Sequence, residues 1–269
     1  MKNVRFMLAG LLMSIGFGPS VSAQADVLES ALRDAHRTPE FVLRDEYRHP
    51  LETLKFFGVE PEMTVVEIWP GKGWYTEILA PHLQTGTIYA AHFPTGMGVT
   101  FYDDYHEQFV KKLAEYPTVY GQVILASFDP KRKELTVPDG RADQVLTFRN
   151  VHNWLRSESE AKAFALFYKA LKPGGVLGVV EHRALEGSDW ETMKTSGYVT
   201  EQYVIDLAEK AGFVLEEKSD INRNARDVKA HPKGVWTLPP TLRLKDLDRN
   251  KYVAIGESDR MTLKFRKPE

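Results

Sequence analysis

Two stretches of the chain bring together residues able to do chemistry. In Thr64–Ala80 a β-branched run, Val65, Val66 and Ile68, enters Trp69-Pro70-Gly71-Lys72-Gly73 and leaves on Ile78 and Leu79. Strand, tight turn and helix in that order open a nucleotide-binding α/β sheet. The spacing predicts a type II turn over Trp69–Lys72, with proline presetting φ at the second position and Gly71 taking φ > 0 at the third. Gly73 would admit a ligand against bare backbone. The following helix would aim free N–H groups at that ligand, and Glu67 would accept hydrogen bonds from it. The second stretch is Arg149-Asn150-Val151-His152-Asn153-Trp154, delivered by a predicted strand Asp143–Phe148 to the carboxyl rim, where open α/β sheets bind ligands. Glu181-His182-Arg183 ends the next strand on the same side. Both stretches also fit plainer roles, a strand-turn-helix packed for stability and a structural histidine.

The elements that must position these residues follow from periodicity and punctuation. Helices are expected over Asp26–Ala35, Leu51–Phe57, Asp103–Glu115, Ser157–Leu171 and from Thr200 to Ala211. Asp45 or His49 is the expected cap of the second, with Pro50 in its first turn. Strands are expected at Gly86–Ala91, Thr118–Ala126, Val176–Val180, Val214–Lys218 and Met261–Arg266. Lys172-Pro173-Gly174-Gly175 stops a helix and turns the chain into a strand. The long connection Asp220–Asp259 carries Trp236 and Pro239-Pro240 and is read as a lid or substrate wall, a structural flap being the plainer alternative.

Composition excludes several function classes. The 269 residues carry a net charge of −2 with no long basic run, so nothing points to nucleic acid as a partner. Cysteine is absent, which removes disulfides, thiolate metal sites and thiol nucleophiles. The eight histidines show no zinc-like spacing, so no metal is expected. At 43% hydrophobic residues the chain can fill a sizeable core. Lys2 and Arg5, the apolar run Phe6–Gly18 and small residues at Val21-Ser22-Ala23 and Ala23-Gln24-Ala25 read as an export signal over residues 1–25. The mature protein is then expected in the periplasm or outside the cell, with no stable membrane insertion.

The chain resembles the class I S-adenosylmethionine-dependent methyltransferases, and within them an exported, methyltransferase-like group. The resemblance runs from Thr64 to Arg266. It rests on Tyr47-Arg48-His49-Pro50, on Glu67-Ile68-Trp69-Pro70-Gly71-Lys72-Gly73-Trp74-Tyr75, on Phe148-Arg149-Asn150-Val151-His152-Asn153-Trp154 and on Trp236-Thr237-Leu238-Pro239-Pro240. Trp69 stands where the family's first glycine is usual, and His92 stands where an acid usually binds the ribose. The resemblance implies a three-layer, Rossmann-like α/β fold. Its seven-stranded, mostly parallel sheet would end in an antiparallel hairpin strand and carry helices on both faces. Residues 26–60 would cover the cleft, 61–269 would form the methyltransferase-like domain, and 221–259 would be an insertion between the last two strands.

The resemblance also implies S-adenosylmethionine as cofactor, held by Glu67, Trp69, Gly71, Gly73, His92, Phe128, Asp129 and Asn150. A small-molecule acceptor would meet His49, Arg149, Asn153, Trp154, His182 and Trp236. Methyl transfer needs alignment and removal of one proton. His152 is the candidate base, because imidazole titrates near neutral pH; Tyr47 and Glu181 are the reserves. Two further readings remain open: a non-catalytic small-ligand-binding protein that keeps this fold, and a nicotinamide-dependent oxidoreductase. The last lacks a third glycine and an acid at the end of the second strand.

Overall fold

The computed structural model describes residues 21–269, so the expected export signal lies outside the described residues except at its end, where the helix Val21–Arg33 begins. The strands, in chain order, are β1 (Thr64–Ile68), β2 (Thr87–His92), β3 (Val123–Asp129), β4 (Glu134–Leu135), β5 (Ala142–Phe148), β6 (Leu171–His182), β7 (Val214–Ser219), β8 (Pro232–Val235) and β9 (Arg260–Arg266). Eight of them form one sheet in the order β4-β3-β2-β1-β5-β6-β9-β7. From β3 to β6 the strands are parallel. β9 runs antiparallel between β6 and β7, and β4 is an antiparallel edge on β3. The fold class is the expected one, with eight strands in place of seven. The added strand, β4, is two residues long and too short to show any period.

Alternation along β1 explains why both sheet faces are covered. Val65 packs on one face with Leu54, Phe57, Ile78 and Leu79; Val66 and Ile68 pack on the other with Phe128, Trp154, Phe164 and Phe167. A parallel strand buried on both faces reads as the continuous apolar run seen in the sequence. Each fully buried Leu, Ile or Phe side chain contributes roughly 1.5–3 kcal/mol. Glu67 falls on the Val65 face, which points its carboxylate at the helix Thr76–His82.

Three side chains, Gln144, Glu77 and Asp227, fix the elements packed over the sheet and its carboxyl rim. Gln144 of β5 donates to the carbonyls of Phe57 (2.9 Å) and Gly58 (2.8 Å), which holds the end of helix Pro50–Phe57 over the sheet. Fully buried Glu77 accepts from Thr38 N (3.1 Å) and Thr38 Oγ1 (2.6 Å) and pairs with Lys112. Together these seat the short helices Pro39–Val42 and Asp45–Arg48 above the rim. The connection between β7 and β9 holds β8 and the helix Arg249–Ile255. Asp227 pins it by accepting from Tyr198 Oη, His231 Nε2 (2.8 Å) and Asp259 N (2.8 Å), and Asp259 pairs with Arg183 and Lys229.

Several boundaries differ from expectation. β6 runs on to His182 because β9 pairs with it that far, setting His182 opposite Arg260. β3 starts at Val123, since Pro117 opens a short helix Pro117–Tyr120. The expected helix 157–171 begins at Glu160, behind a separate helix Val151–Arg156. Thr200 caps Glu201–Lys210 as expected, its hydroxyl accepting from Tyr203 N. Among the described residues no helix is long and apolar enough to cross a membrane.

Gly178 of β6 is a sharp test of this packing. A Cβ there would meet Leu146 Cδ2 at 2.7 Å and the Phe57 ring at 2.9 Å. Gly178→Ala should destabilise the fold by about 1–3 kcal/mol through overpacking, read as a lowered urea midpoint at unchanged m-value.

Candidate functional site

A cavity of ≈ 590 Å³ opens over the carboxyl ends of β1, β5 and β6, within the size range of small-ligand sites. Its floor includes Glu67, Trp69, Gly71, Asn150, His152 and His182. Arg44 and Arg48 reach it from the N-terminal helices, Tyr102 and Tyr105 from the helix Thr100–Glu115, and Trp236 from the β7–β9 connection.

The turn after β1 differs from the expected one. It closes one residue later, with Gly73 N donating to Pro70 O (3.0 Å). Trp69 itself takes φ 48°, in the left-handed region where the family's glycine would sit at ease. Gly71 (φ 62°) lines the cavity; Gly73 (φ 84°) does not, and its missing side chain makes room for Phe109, 3.0 Å from where a Cβ would stand. The expected supply of free helical N–H groups is reduced, because the helix is only Thr76–His82 and Glu77 N donates to Gly73 O.

Several candidate cofactor contacts are already engaged within the protein. His92 does not line the cavity: Nε2 lies 2.8 Å from Gly71 O, and Nδ1 accepts from Phe93 N. Burial lowers His92 to about 4, so the ring is neutral and stabilises the turn. The Trp69 indole donates from Nε1 to Phe128 O (3.0 Å) and packs on Phe93, Phe128 and Trp154. Phe128 is fully buried core, and Asp129 accepts from the N–H groups of Lys131 and Arg132 as a turn former. Asn150 lines the cavity but spends its amide on Ile68 O and Thr147 Oγ1, tying β1 to β5.

The candidate catalytic and substrate residues divide likewise. Arg149, His152, Asn153, His182 and Trp236 line the cavity. Trp154, Tyr47 and His49 do not. Trp154 is fully buried between Trp69, Phe128 and Phe167. The Tyr47 ring packs on Gly256, where a Cβ would lie 2.6 Å from it. His49 takes a left-handed backbone (φ 41°) that joins two helices. Glu181 is fully buried beneath His152, with Oε1 3.0 Å from His152 Nδ1 and Oε2 accepting from His152 N.

A carboxylate only accepts, so His152 Nδ1 carries the hydrogen of this bond. Nε2 makes no hydrogen bond with a described residue. The buried Glu181 carboxylate thus fixes the orientation of the His152 imidazole. His182 lies beside it, ring centroids 5.2 Å apart, with Nδ1 2.6 Å from Ser258 Oγ. Burial, then His152 and the nearby arginines, holds His182 well below its ordinary value, so that ring is neutral.

No metal is expected from the sequence spacing, yet the fold gathers His152, Glu181 and His182 with donor atoms within 4.8 Å of one another. Both oxygens of Glu181 are occupied by N–H donors and His182 Nδ1 by Ser258, so the trio is a hydrogen-bonded assembly with little left for a cation.

The sequence reading named Arg149 and left Arg44, Arg48, Glu257 and Arg260 outside the candidate set. All five line the cavity. Glu257 is buried and pairs with Arg44 Nε (2.5 Å), Arg48 Nε (3.4 Å) and Arg260. Burial alone would raise the Glu257 carboxyl; Arg260, Arg48 and Arg44 overcome it and hold the group well below the usual carboxylate range. The signal available in the sequence was charge density, Tyr47-Arg48-His49 on one side and Glu257-Ser258-Asp259-Arg260 on the other.

Glu67 behaves in the opposite way. It is buried and accepts only from Thr76 Oγ1 (2.6 Å), and burial raises it to about 7. A carboxyl with a raised folded pKa stabilises the fold most below its unfolded value, and that contribution is lost as pH rises from 4.5 through 7. The full effect is on the order of 3 kcal/mol. Glu67→Gln should therefore gain stability over the unmutated chain at pH 8 and show little difference at pH 4.5, measured by urea unfolding at both values.

Comparison with known proteins bears on the fold. No family model matches the chain, and no curated protein matches it. Solved structures do. A SAM-dependent methyltransferase from Aquifex aeolicus superposes with TM-score 0.56 at 16% identity, over 90% of this chain and 98% of that one. An arsenic(III) S-adenosylmethionine methyltransferase from Chlamydomonas reinhardtii gives 0.55 at 14%, over 90% and 73%. The [4+2]-cyclase SpnF gives 0.54 at 15%, over 91% and 93%. The chain has the fold that S-adenosylmethionine-dependent methyltransferases share.

Proposed function

We propose that the protein is an S-adenosylmethionine-dependent methyltransferase acting on a small-molecule acceptor. One observation carries the reading. The turn after β1, with Glu67 and Gly71, and the His152 imidazole backed by Glu181 open onto the same cavity. The resemblance assigns the first to the cofactor, and the second is a base in need of a proton donor. The cofactor, when bound, supplies a methyl group already activated on sulfur. Glu67 and Gly71 are the residues placed to hold it.

The chain's own contribution is positioning and one proton. His152 Nε2 takes the proton from the acceptor's hydroxyl or ammonium group, and Glu181 holds the ring so that Nε2 faces the cavity. The charge that forms on imidazole lies 3.0 Å from that buried carboxylate. Trp236, at 6.0 Å from the His152 ring, narrows the approach and limits water.

One alternative draws on a specific observation. His92, Phe128 and the Trp69 indole are satisfied within the protein, at the positions where the resemblance places ribose and adenine. That favours a binding protein with this fold, whose ligand occupies the arginine side of the cavity. The fold itself does not require methyl transfer, since one similar structure is of a [4+2]-cyclase.

Melting curves separate the two. S-adenosylmethionine at about 100 times its dissociation constant should stabilise a methyltransferase by about 2.7 kcal/mol. Flat curves with the cofactor and with its demethylated product would leave the binding protein standing. Once an acceptor is found, His152→Ala should lower kcat roughly 10²–10⁴-fold with cofactor affinity unchanged.

The proposal includes export, supported by the basic start and apolar run of residues 1–25. N-terminal sequencing of the secreted or periplasmic fraction should find chains beginning at Gln24 or Asp26; recovery only of full-length cytoplasmic protein would count against it.

A further inference from the structure

Four guanidinium groups reach the cavity from three segments: Arg44 and Arg48 from the two ends of the helix Asp45–Arg48, Arg149 from the end of β5 and Arg260 from the start of β9. Among the described residues, Glu257 is the one carboxylate within ion-pair distance of any of them. Arg149 makes no side-chain hydrogen bond or ion pair with a described residue, and it is held at φ 63°. Such strain in a bulky residue costs on the order of 1–3 kcal/mol and concentrates where a ligand is gripped.

The other three keep unused donors. Arg44 Nη2, Arg48 Nη2 and Arg260 Nε are buried with no partner, although Arg48 and Arg260 are at most 3% exposed. Each orphaned buried donor is costly, and here they stand beside uncompensated like charge. Arg48 shifts well below its ordinary value, from burial first and then from Arg149. A cluster of this kind is completed by an anion.

We propose that Arg44, Arg48, Arg149 and Arg260 form a receptor for a tetrahedral dianion, a phosphomonoester or phosphonate group carried by the molecule that fills the cavity. The choice follows from number and direction. A carboxylate is planar and is matched by one bidentate guanidinium. Four guanidiniums converging from different elements leave three in excess. A phosphoryl group offers three acceptor oxygens and a charge of roughly −1.5 to −2 near neutral pH, which suits donors arranged around it. His152 and the neutral His182 then lie beside the bound molecule. The inference deepens the methyl-transfer reading by naming the acceptor's class, and it rests on that reading only in calling the ligand an acceptor.

The test uses the full chain without cofactor. Inorganic phosphate, methylphosphonate and malonate are titrated by calorimetry and melting at constant ionic strength. Phosphate and methylphosphonate should bind saturably and more tightly than malonate. Arg149→Gln should weaken phosphate about tenfold, the loss of one charge-assisted contact. It should also raise the melting temperature of the unliganded protein by relieving like-charge repulsion, which a structural arginine would not do. Arg149→Lys, keeping charge without the fork, should fall between. The proposal is overturned if phosphate stabilises no more than chloride, if malonate binds as well, or if Arg149→Gln leaves affinity unchanged. It is also overturned if phosphate and S-adenosylmethionine compete, since the arginines would then serve the cofactor's carboxylate. Phosphate binding with flat cofactor curves would sink only the transferase reading; the reverse would sink only this one.

Discussion

The arrangement around the cavity depends on Glu257. It is the one buried carboxylate that three arginines share, and those arginines come from both ends of the chain: Arg44 and Arg48 before β1, Arg260 at the start of β9. Paired in this way, one anion joins the N-terminal helices to the last strand across the rim of the sheet. A buried pair repays its desolvation only when geometry is good and further hydrogen bonds are made. Here Arg260 also donates to Tyr47 O (2.9 Å), which tightens the same junction. The charge remains unbalanced, because four guanidiniums face one carboxylate. The fold tolerates that imbalance in the one place where a ligand can correct it.

Backbone strain is distributed in the same pattern. Trp69 and Arg149 end the neighbouring strands β1 and β5, and both take positive φ without being glycine. Trp69 is held by its indole bond to Phe128 O and by the aromatic rings around it. Arg149 is held by its backbone N–H, which donates to Val180 O (2.7 Å), while its side chain is left over for the cavity. One strained residue thus closes the β3 side of the rim, and the other opens the β6 side. This asymmetry separates the cavity into an aromatic end already satisfied within the protein and a cationic end that is not.

Much of the architecture was legible because it depends on local pattern. The β-branched run of β1 and the Thr200 cap each act over a few residues, and each lies where the sequence places it, whereas Lys172–Gly175, expected ahead of its strand, falls inside β6. The site was legible where it sits on such elements: Arg149, Asn150, His152, Asn153 and His182 follow predicted strands and line the cavity. It was not legible where pairing is long-range. The Glu257–Arg48 contact spans 209 residues and the Asn222–Thr53 bond 169, and no periodicity reports either. His92 and Gly73 failed for a related reason. Position relative to a motif suggested a ligand, but the partner that took each, Gly71 O for the histidine and the Phe109 ring for the glycine, enters through packing.

The assembly of His152, Glu181 and His182 illustrates how a field decides between chemistries that look alike in composition. Two imidazoles and a carboxylate within reach of one another are a usual cation cradle. In this cavity the same side chains stand beside Arg48, Arg149 and Arg260, whose combined potential opposes any cation placed between the rings. At His182 burial first, and then that potential, opposes protonation. Glu181 is insulated from this competition by accepting from three N–H groups, His152 N, His152 Nδ1 and His182 N. The result is a hydrogen-bonded pair of rings, His182 held neutral, next to a cluster whose need is negative charge. Glu181 orients the His152 ring from beneath, and an anion lodged among the arginines would face it across the cavity, so both devices would bear on the same bound molecule.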